Sequence, residues 1–206
     1  IPAKDIFPCI NISRFKINMF QLPHCLKEGI KSYKASLEDL LQGRSSSARF
    51  TGIRVPWGIY SQRGGKVYMN RLRLPAGRLT PLQLKAIAEA ARTFGQGPVH
   101  FTTRQDIQIH GVRIEDTVKV LEYLKEYELS SRVGGGNTIR NITACSLAGI
   151  CAEEIFDVGL YAISLTEYLL TEDSSYNLPR KFKISFSGCA KDCGGCLVND
   201  VGLLAQ

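Results

Sequence analysis

No stretch of the 206 residues is an unbroken apolar run of membrane-spanning length, which excludes a helical membrane span within this sequence. The opening residues Ile1, Pro2, Ala3, Lys4 and Asp5 lack the basic-then-apolar order of a secretory signal, so the chain is expected in the cytoplasm. There is no internal repeat, no low-complexity tract and no flavin or nicotinamide fingerprint. Collagen, coiled coil and disorder are therefore excluded as the main organisation. Basic residues are not gathered in a tail or along one helix, as a nucleic-acid stripe often is. The chain also lacks an initiator Met and stops at Leu203, Leu204, Ala205 and Gln206 without an obvious terminal element, so it is expected to be a piece of a longer product.

What is present is an ordinary globular composition, 44% hydrophobic and 22% charged, with 26 Lys and Arg against 19 Asp and Glu. The net charge of +7 attracts an anion, and several of the cations fall inside apolar, strand-like sequence, which favours a pocket over a surface stripe. Seven cysteines in such a chain argue for metal or redox chemistry over a disulfide framework.

The residues before position 51 read as an irregular leader with one helix around Ser36 to Leu41 and a polar loop from Gly43 to Ser47. Lys66 to Leu74 reads as a strand with Met69, Arg71 and Arg73 on one face. Thr80 and Pro81 form an N-cap and first-turn pair ahead of an apolar stripe through Leu84, Ile87, Ala88, Ala91 and Phe94, ended by Gly95. Val99 to Thr103 and Ile107 to Val112 read as strands, and Ile114, Val118, Leu121 and Leu124 as a second amphipathic helix. Strand, helix, strand, strand, helix is most of a ferredoxin-like α/β sandwich. Gly134 to Gly136 is either a hinge or a backbone that approaches a bound group closely. Ala152 to about Leu170 reads as helix with Phe156, Leu160, Ile163 and Leu170 in the core, and Phe182 to Phe186 as a short strand.

Cys145 and Cys151 are separated by five residues, and Cys189 and Cys193 by three. Four thiolates from two loops suit a [4Fe-4S] cube or a tetrahedral zinc, and the five-residue spacing is wider than zinc knuckles prefer. Cys193 and Cys196, two residues apart, keep a zinc site open, and unliganded buried cysteines are a third reading.

Several motifs in order, Met69-Asn70-Arg71-Leu72-Arg73, Thr102-Thr103-Arg104-Gln105, Gln108 with His110 and Gly111, Asn137-Thr138-Ile139-Arg140-Asn141, Pro179-Arg180-Lys181-Phe182-Lys183 and Ser187-Gly188-Cys189, resemble the sulfite and nitrite reductase family. The resemblance implies an α/β (α+β) chain: a leader over 1–50, a ferredoxin-like half-domain over 51–127, and a siroheme and [4Fe-4S] domain over 128–206, incomplete at its C-terminus. It implies Cys145, Cys151, Cys189 and Cys193 as cluster ligands, with Cys193 bridging to siroheme. It implies Arg71, Arg140, Lys181 and Lys183 around a sulfite or nitrite anion, and Thr102, Arg104, Gln108 and Arg180 against siroheme. The implied activity is six-electron reduction of sulfite to sulfide or nitrite to ammonia, with electrons from a protein such as a ferredoxin and with neither nucleic acid nor membrane as partner. Taken singly these residues have blander readings: Arg71 as a surface ion pair, Lys181 and Lys183 as a solvated strand face, His110 as a core histidine, and Cys9, Cys25 and Cys196 as small hydrophobes. In two-repeat relatives the cations and the cysteines come from different repeats, whereas here both lie in one. The expectation is a composite site in a homodimer or a pair with a homologous subunit. The rivals are a non-catalytic iron-sulfur electron-transfer or cofactor-binding subunit and a zinc-stabilised nucleic-acid module.

Overall fold

The computed structural model describes residues 20–132 and 134–206, so Cys9 and the first 19 residues of the expected leader lie outside the described residues. Helix α1 (His24–Leu41) is followed by α2 (Ser47–Arg54), and then by β1 (Ile59–Ser61) and β2 (Tyr68–Leu72). Next come α3 (Pro81–Phe94), β3 (Val99–Phe101), β4 (Ile107–Val112) and α4 (Thr117–Lys125). The remaining elements are β5 (Thr143–Ala144), α5 (Val158–Thr171), β6 (Ile184–Ser187) and β7 (Val201–Leu204).

The expected helix at Ser36 to Leu41 is only the last part of α1, which begins at His24 and buries Leu26, Ile30, Tyr33 and Leu37 along one stripe. The polar loop ends one residue earlier than expected, because the Ser46 hydroxyl accepts from the Arg49 N–H and caps α2. Both helices pack on Trp57, Ile59, Val118 and Leu121, so residues 24–54 belong to the packed body.

The first sheet is antiparallel, in the order β1-β2-β4-β3, with β1 beside β2 in the place of a fourth ferredoxin-like strand. The α3 helix starts as the sequence implies: Thr80 and Gln83 complete a capping box with Pro81 in the first turn. One face of the sheet carries Leu72, Ile107, Ile109 and Val112 into a core shared with Ile87, Ala90, Ala91, Val120 and Leu124. Period-two alternation puts Arg71, Gln108 and His110 on the opposite face. Asn70 faces Ile109 but Tyr68 faces Val112, so β4 carries one extra residue there. Gly111, at φ +76°, absorbs it. The bulge keeps Val112 in the core while His110 stays with Gln108.

The second sheet is parallel, β5-β6-β7, with α5 as the crossover from β5 to β6. Its core gathers Ile142, Ala144, Val158, Ala162, Ile163, Leu170, Ile184 and Phe186. The helix expected from Ala152 begins only at Val158, because the Asp157 carboxylate accepts from the Gly159 N–H and caps it there. Phe156 consequently lies outside the helix and is 41% exposed, and Leu160 is half-buried, whereas Ile163 and Leu170 are core as expected. Phe182 forms only an isolated bridge with Ile139 before β6 begins at Ile184.

Candidate functional site

Two glycines set the cationic face. Gly58, at φ +69°, lies so close to the 131–134 segment that a Cβ would sit 2.6 Å from the Ser131 carbonyl oxygen and 2.8 Å from that of Arg71. A Cβ on Gly134 would meet the Arg71 oxygen at 2.8 Å and the Gly58 Cα at 3.2 Å. The close approach aims the Gly134 carbonyl outward, where it accepts from Arg71 Nη1 (3.2 Å) and from Arg140 Nη1 (3.0 Å). Gly135 lies against the Tyr60 hydroxyl, which accepts from the Gly136 N–H at 3.1 Å, and the Arg71 guanidinium lies 5.5 Å from the Tyr60 ring centroid.

Arg71 and Arg140 open onto a cavity of about 510 Å³ that also receives Arg104, Lys181, Lys183, Gln108, Thr102 and Asp106. Residues spread over 113 positions of sequence thus meet at one place. Among the described residues, none of Arg71, Arg140, Lys181 and Lys183 makes an ion pair. Arg71 is thus not held in a surface ion pair among the described residues, while Lys181 is exposed and Lys183 half-buried. Asp106 is buried, and burial outweighs the attraction of Arg73, Arg71 and Arg104, pushing its carboxyl up to about 6. Arg180 is exposed and belongs to the lining of neither this cavity nor the adjoining one.

The turn from Thr102 to Asp106 ties the two sheets together. The Thr102 hydroxyl oxygen accepts from the N–H groups of Arg104 and Asp106, leaving its own proton to donate. Gln105, at φ +57°, bonds β5 at two points, donating to the Ala144 carbonyl at 2.7 Å and accepting from its N–H at 3.1 Å. Arg104 donates to Asn199 Oδ1 (2.6 Å) and to the carbonyls of Asn141 and Ile184 (2.5 and 2.9 Å). Both of its terminal nitrogens thus bond the protein, leaving one Nη1 hydrogen and Nε of the residue expected to contact a cofactor uncommitted among the described residues. The buried Nε atoms of Arg104 and Arg140 have no partner among the described residues. Sequence reasoning missed Gln62, Asp106, Asp192 and Asn199, because isolated carboxamides and carboxylates carry no spacing signal.

Of the four expected ligands, Cys145 follows β5 and Cys189 follows β6, both buried, while Cys151 is half-buried and Cys193 exposed. Cys145 lies within hydrogen-bonding reach of Cys193 and beside Cys151; burial first, then these neighbours, raises its thiol pKa. Lys191 acts electrostatically on Cys189 and Cys151. Cys145 thus lies beside Cys193 and Cys151, and Cys189 is linked to Cys151 through the field of Lys191. Asp192, at φ +49°, organises the loop: its carboxylate accepts from the N–H groups of Cys196 and Leu197 and from the Ser187 hydroxyl. Those bonds, that of Cys196 foremost, hold its pKa down at about 2. Gly194 has no room for a side chain, since a Cβ would sit 2.2 Å from the Phe186 carbonyl oxygen. Cys196 is turned inward, its sulfur on the Ser185 carbonyl at 3.5 Å, and Cys25 is exposed.

Cys193 lines a second cavity of about 300 Å³ that shares Thr103, Arg104 and Lys183 with the first. Among the described residues no three His, Cys, Asp or Glu side chains converge at single-ion distance. The Cys196 sulfur, the second ligand of the Cys193–Cys196 zinc reading, is buried on the Ser185 and Leu203 carbonyls. Four soft thiols on two loops, two of them buried, are a fitting donor set for a cube. The two unpartnered guanidinium nitrogens and the cationic lining likewise fit an anionic group with several oxygens. Among the described residues no helix is long and apolar enough to cross a membrane.

Residues 60–127 match the family model of the nitrite/sulfite reductase ferredoxin-like half domain, and residues 135–206 that of the nitrite and sulphite reductase 4Fe-4S domain. An assimilatory ferredoxin-dependent nitrite reductase of Haloferax mediterranei is 38% identical over 159 residues, 71% of this chain and 27% of that protein. A ferredoxin–nitrite reductase of Leptolyngbya laminosa is 31% identical over 200 residues, 91% of this chain and 38% of that protein. The solved structure of the Mycobacterium tuberculosis NirA protein superposes with a TM-score of 0.66 at 20% identity, covering 86% of this chain and 37% of that one, which shows the shared fold. The chain thus spans 27% and 38% of the length of the two curated relatives. With both halves matched in family order and the fold in agreement, this chain belongs to the nitrite and sulfite reductase family.

Proposed function

We propose that the chain provides the anion-binding and cluster-binding surfaces of an oxidoreductase that reduces sulfite to sulfide or nitrite to ammonia. The observation that carries this reading is the cavity where Arg71, Arg140, Lys181 and Lys183 meet without an ion pair among the described residues. Four cations beside one small oxyanion hold its charge, and the two ammonium groups can also hand over protons as oxygen leaves as water. Siroheme coupled to a [4Fe-4S] cluster would, when bound, relay the six electrons from an external donor to the anion. Cys145, Cys151, Cys189 and Cys193 would hold the cluster, and Cys193, which lines the second cavity, would be the thiolate it shares with siroheme. Thr102 and Arg104 would hold siroheme oxygens, while Gln108, expected from the resemblance to do the same, stands beside Arg71 on the anion side of the cavity; Arg180 has the weakest support, being outside both cavities. Residues 51–127 and 128–206 act as the half-domain and the cofactor domain, and a ferredoxin-type protein supplies electrons, as the names of the two relatives say of them.

Each complete site is composite in this reading, with thiols of one protomer facing cations of another copy or of a homologous subunit. The support is that Arg71 and Arg140 open into one cavity and Cys193 into the next, and that Leu147, Ile150, Leu197 and Val198 around the thiols are exposed. The test is protein produced with siroheme available, carrying Lys181→Met and Lys183→Met. Retained cluster and siroheme absorbance with sulfite and nitrite turnover lowered by two orders of magnitude or more is expected. Unchanged turnover would favour an electron-transfer subunit. Mixing this variant with a Cys193→Ser copy restores activity only if sites are shared between chains.

A further inference from the structure

A chain of hydrogen bonds runs from the backbone to the cavity on the polar face of the first sheet. The Gly111 N–H donates to Gln62 Oε1 (2.7 Å), and Gln62 Nε2 meets His110 Nδ1 at 3.0 Å. His110 Nε2 meets the Gln108 carboxamide at 3.2 Å, and the far end of that carboxamide meets Arg71 Nη2 and Nε at 2.9 and 3.1 Å. His110 lies 6.3 Å from His100, ring to ring, and burial followed by that neighbour lowers its pKa, so its ring is neutral at pH 7 and above.

This chain cannot be satisfied internally. It has four junctions, Gly111–Gln62, Gln62–His110, His110–Gln108 and Gln108–Arg71. A backbone N–H and a guanidinium point inward from the two ends, and each carboxamide and the neutral imidazole adds one donor along the line. Five donors therefore serve four junctions, and one junction always sets donor against donor. If Gln108 turns its oxygen to Arg71, its NH2 takes Nε2 as acceptor, Nδ1 must carry the proton, and Nδ1–H faces the Gln62 NH2. If Gln108 turns its oxygen to a protonated Nε2, every inner junction is satisfied and the conflict moves to the cavity, between the Gln108 NH2 and Arg71. An oxyanion there resolves it, because both groups then donate to the anion.

We propose that Gln62 and His110 are positioning residues that hold the Gln108 carboxamide with its NH2 toward the cavity as a hydrogen-bond donor to the bound oxyanion. The proton of neutral His110 then resides on Nε2, a choice imposed from the Gly111 bulge through Gln62. This rests on the reading of the cavity as an oxyanion site. It gives Gln108 a role as an anion donor, set by a histidine that touches no substrate.

The test is nitrogen-15 spectroscopy of histidine-labelled protein at pH 8 with inorganic sulfite, alongside calorimetric titration. In the sulfite complex His110 is expected to show a protonated Nε2 and an unprotonated Nδ1. Gln62→Leu removes the donor to Nδ1, so the variant is expected to carry the proton on Nδ1 without ligand and to bind sulfite about tenfold more weakly, the scale of one charge-assisted hydrogen bond. A purely structural role for Gln62 would change the melting temperature without moving the tautomer. A wild-type complex with the proton on Nδ1, or a folded Gln62→Leu protein with wild-type tautomer and affinity, overturns the inference alone. Absence of sulfite binding to the wild-type protein overturns the oxyanion reading and this inference with it.

Discussion

Replacing Asp106 by Asn should make the protein more stable at neutral pH and leave it unchanged in acid. Asp106 is 5% exposed, its Oδ1 has no partner among the described residues, and its carboxyl accepts a hydrogen bond from the Leu74 backbone. Burial outweighs the pull of Arg73, Arg71 and Arg104, so the pKa rises from 3.8 to about 6. Two units correspond to about 3 kcal/mol of preference for the neutral form in the folded state. As pH rises from about 4 to about 6 the unfolded chain loses this proton first and binds fewer protons than the native state, so the group makes stability fall with rising pH. The penalty is absent below about pH 4 and complete above about pH 6. Asn cannot ionise, so the stability difference between variant and wild type should grow from near zero at pH 4 to about 3 kcal/mol at pH 7. Urea unfolding of both proteins at four pH values measures it, and the other carboxylates cancel in the difference. A difference that is flat with pH, or one of the opposite sign, would show that the three arginines outweigh burial. The same protonation matters for binding: neutral Asp106 no longer offsets the cations beside it, so nitrite, ionised throughout this range, should bind more tightly as pH falls through 6, and Asp106→Asn should flatten that dependence.

Gly58→Ala should cost about 2–4 kcal/mol, combining a left-handed backbone with a Cβ 2.6 Å from the Ser131 oxygen, and it should weaken sulfite binding by displacing the strand that carries Arg71. Chemical denaturation and titration calorimetry measure both, and a loss below about 1 kcal/mol would contradict the close approach. Arg104→Met should cost about 2–4 kcal/mol by unpairing the carbonyls of Asn141 and Ile184. Hydrogen exchange should then accelerate in β5 and β6; unchanged protection there would show that Arg104 does not join the two sheets.

Local rules explain which elements were legible in the sequence. Thr80, Pro81 and Gln83 announce α3 because capping is a contact between near neighbours, and alternating Ile107, Ile109 and polar partners announces β4. The stripe of Leu26, Ile30, Tyr33 and Leu37 is equally periodic, yet the expected helix covers only its end. Phe156 illustrates the opposite error: an apolar residue just before a helix looks like its first core position until Asp157 is seen to cap it. The cations were found through the family resemblance and not through spacing, because what gathers Arg71, Arg140, Lys181 and Lys183 is tertiary.

The tertiary contacts also explain how the site stays charged. A cation in a protein is usually held by a carboxylate, but a carboxylate here would cancel the field that an oxyanion needs. Arg71 and Arg140 are instead held by the Gly134 carbonyl, and Arg104 by two carbonyls and the Asn199 carboxamide, all neutral acceptors that fix position without removing charge. Among the described residues the one carboxylate lining the cavity, Asp106, is buried deeply enough that it takes up a proton near pH 6. Glycine at positions 58 and 134 is then an electrostatic requirement as much as a steric one. Only by letting the two backbones touch can the chain aim a carbonyl at two guanidinium groups, and a side-chain acceptor reaching the same point would most readily come from Asp or Glu, whose charge would empty the site of its attraction for the anion.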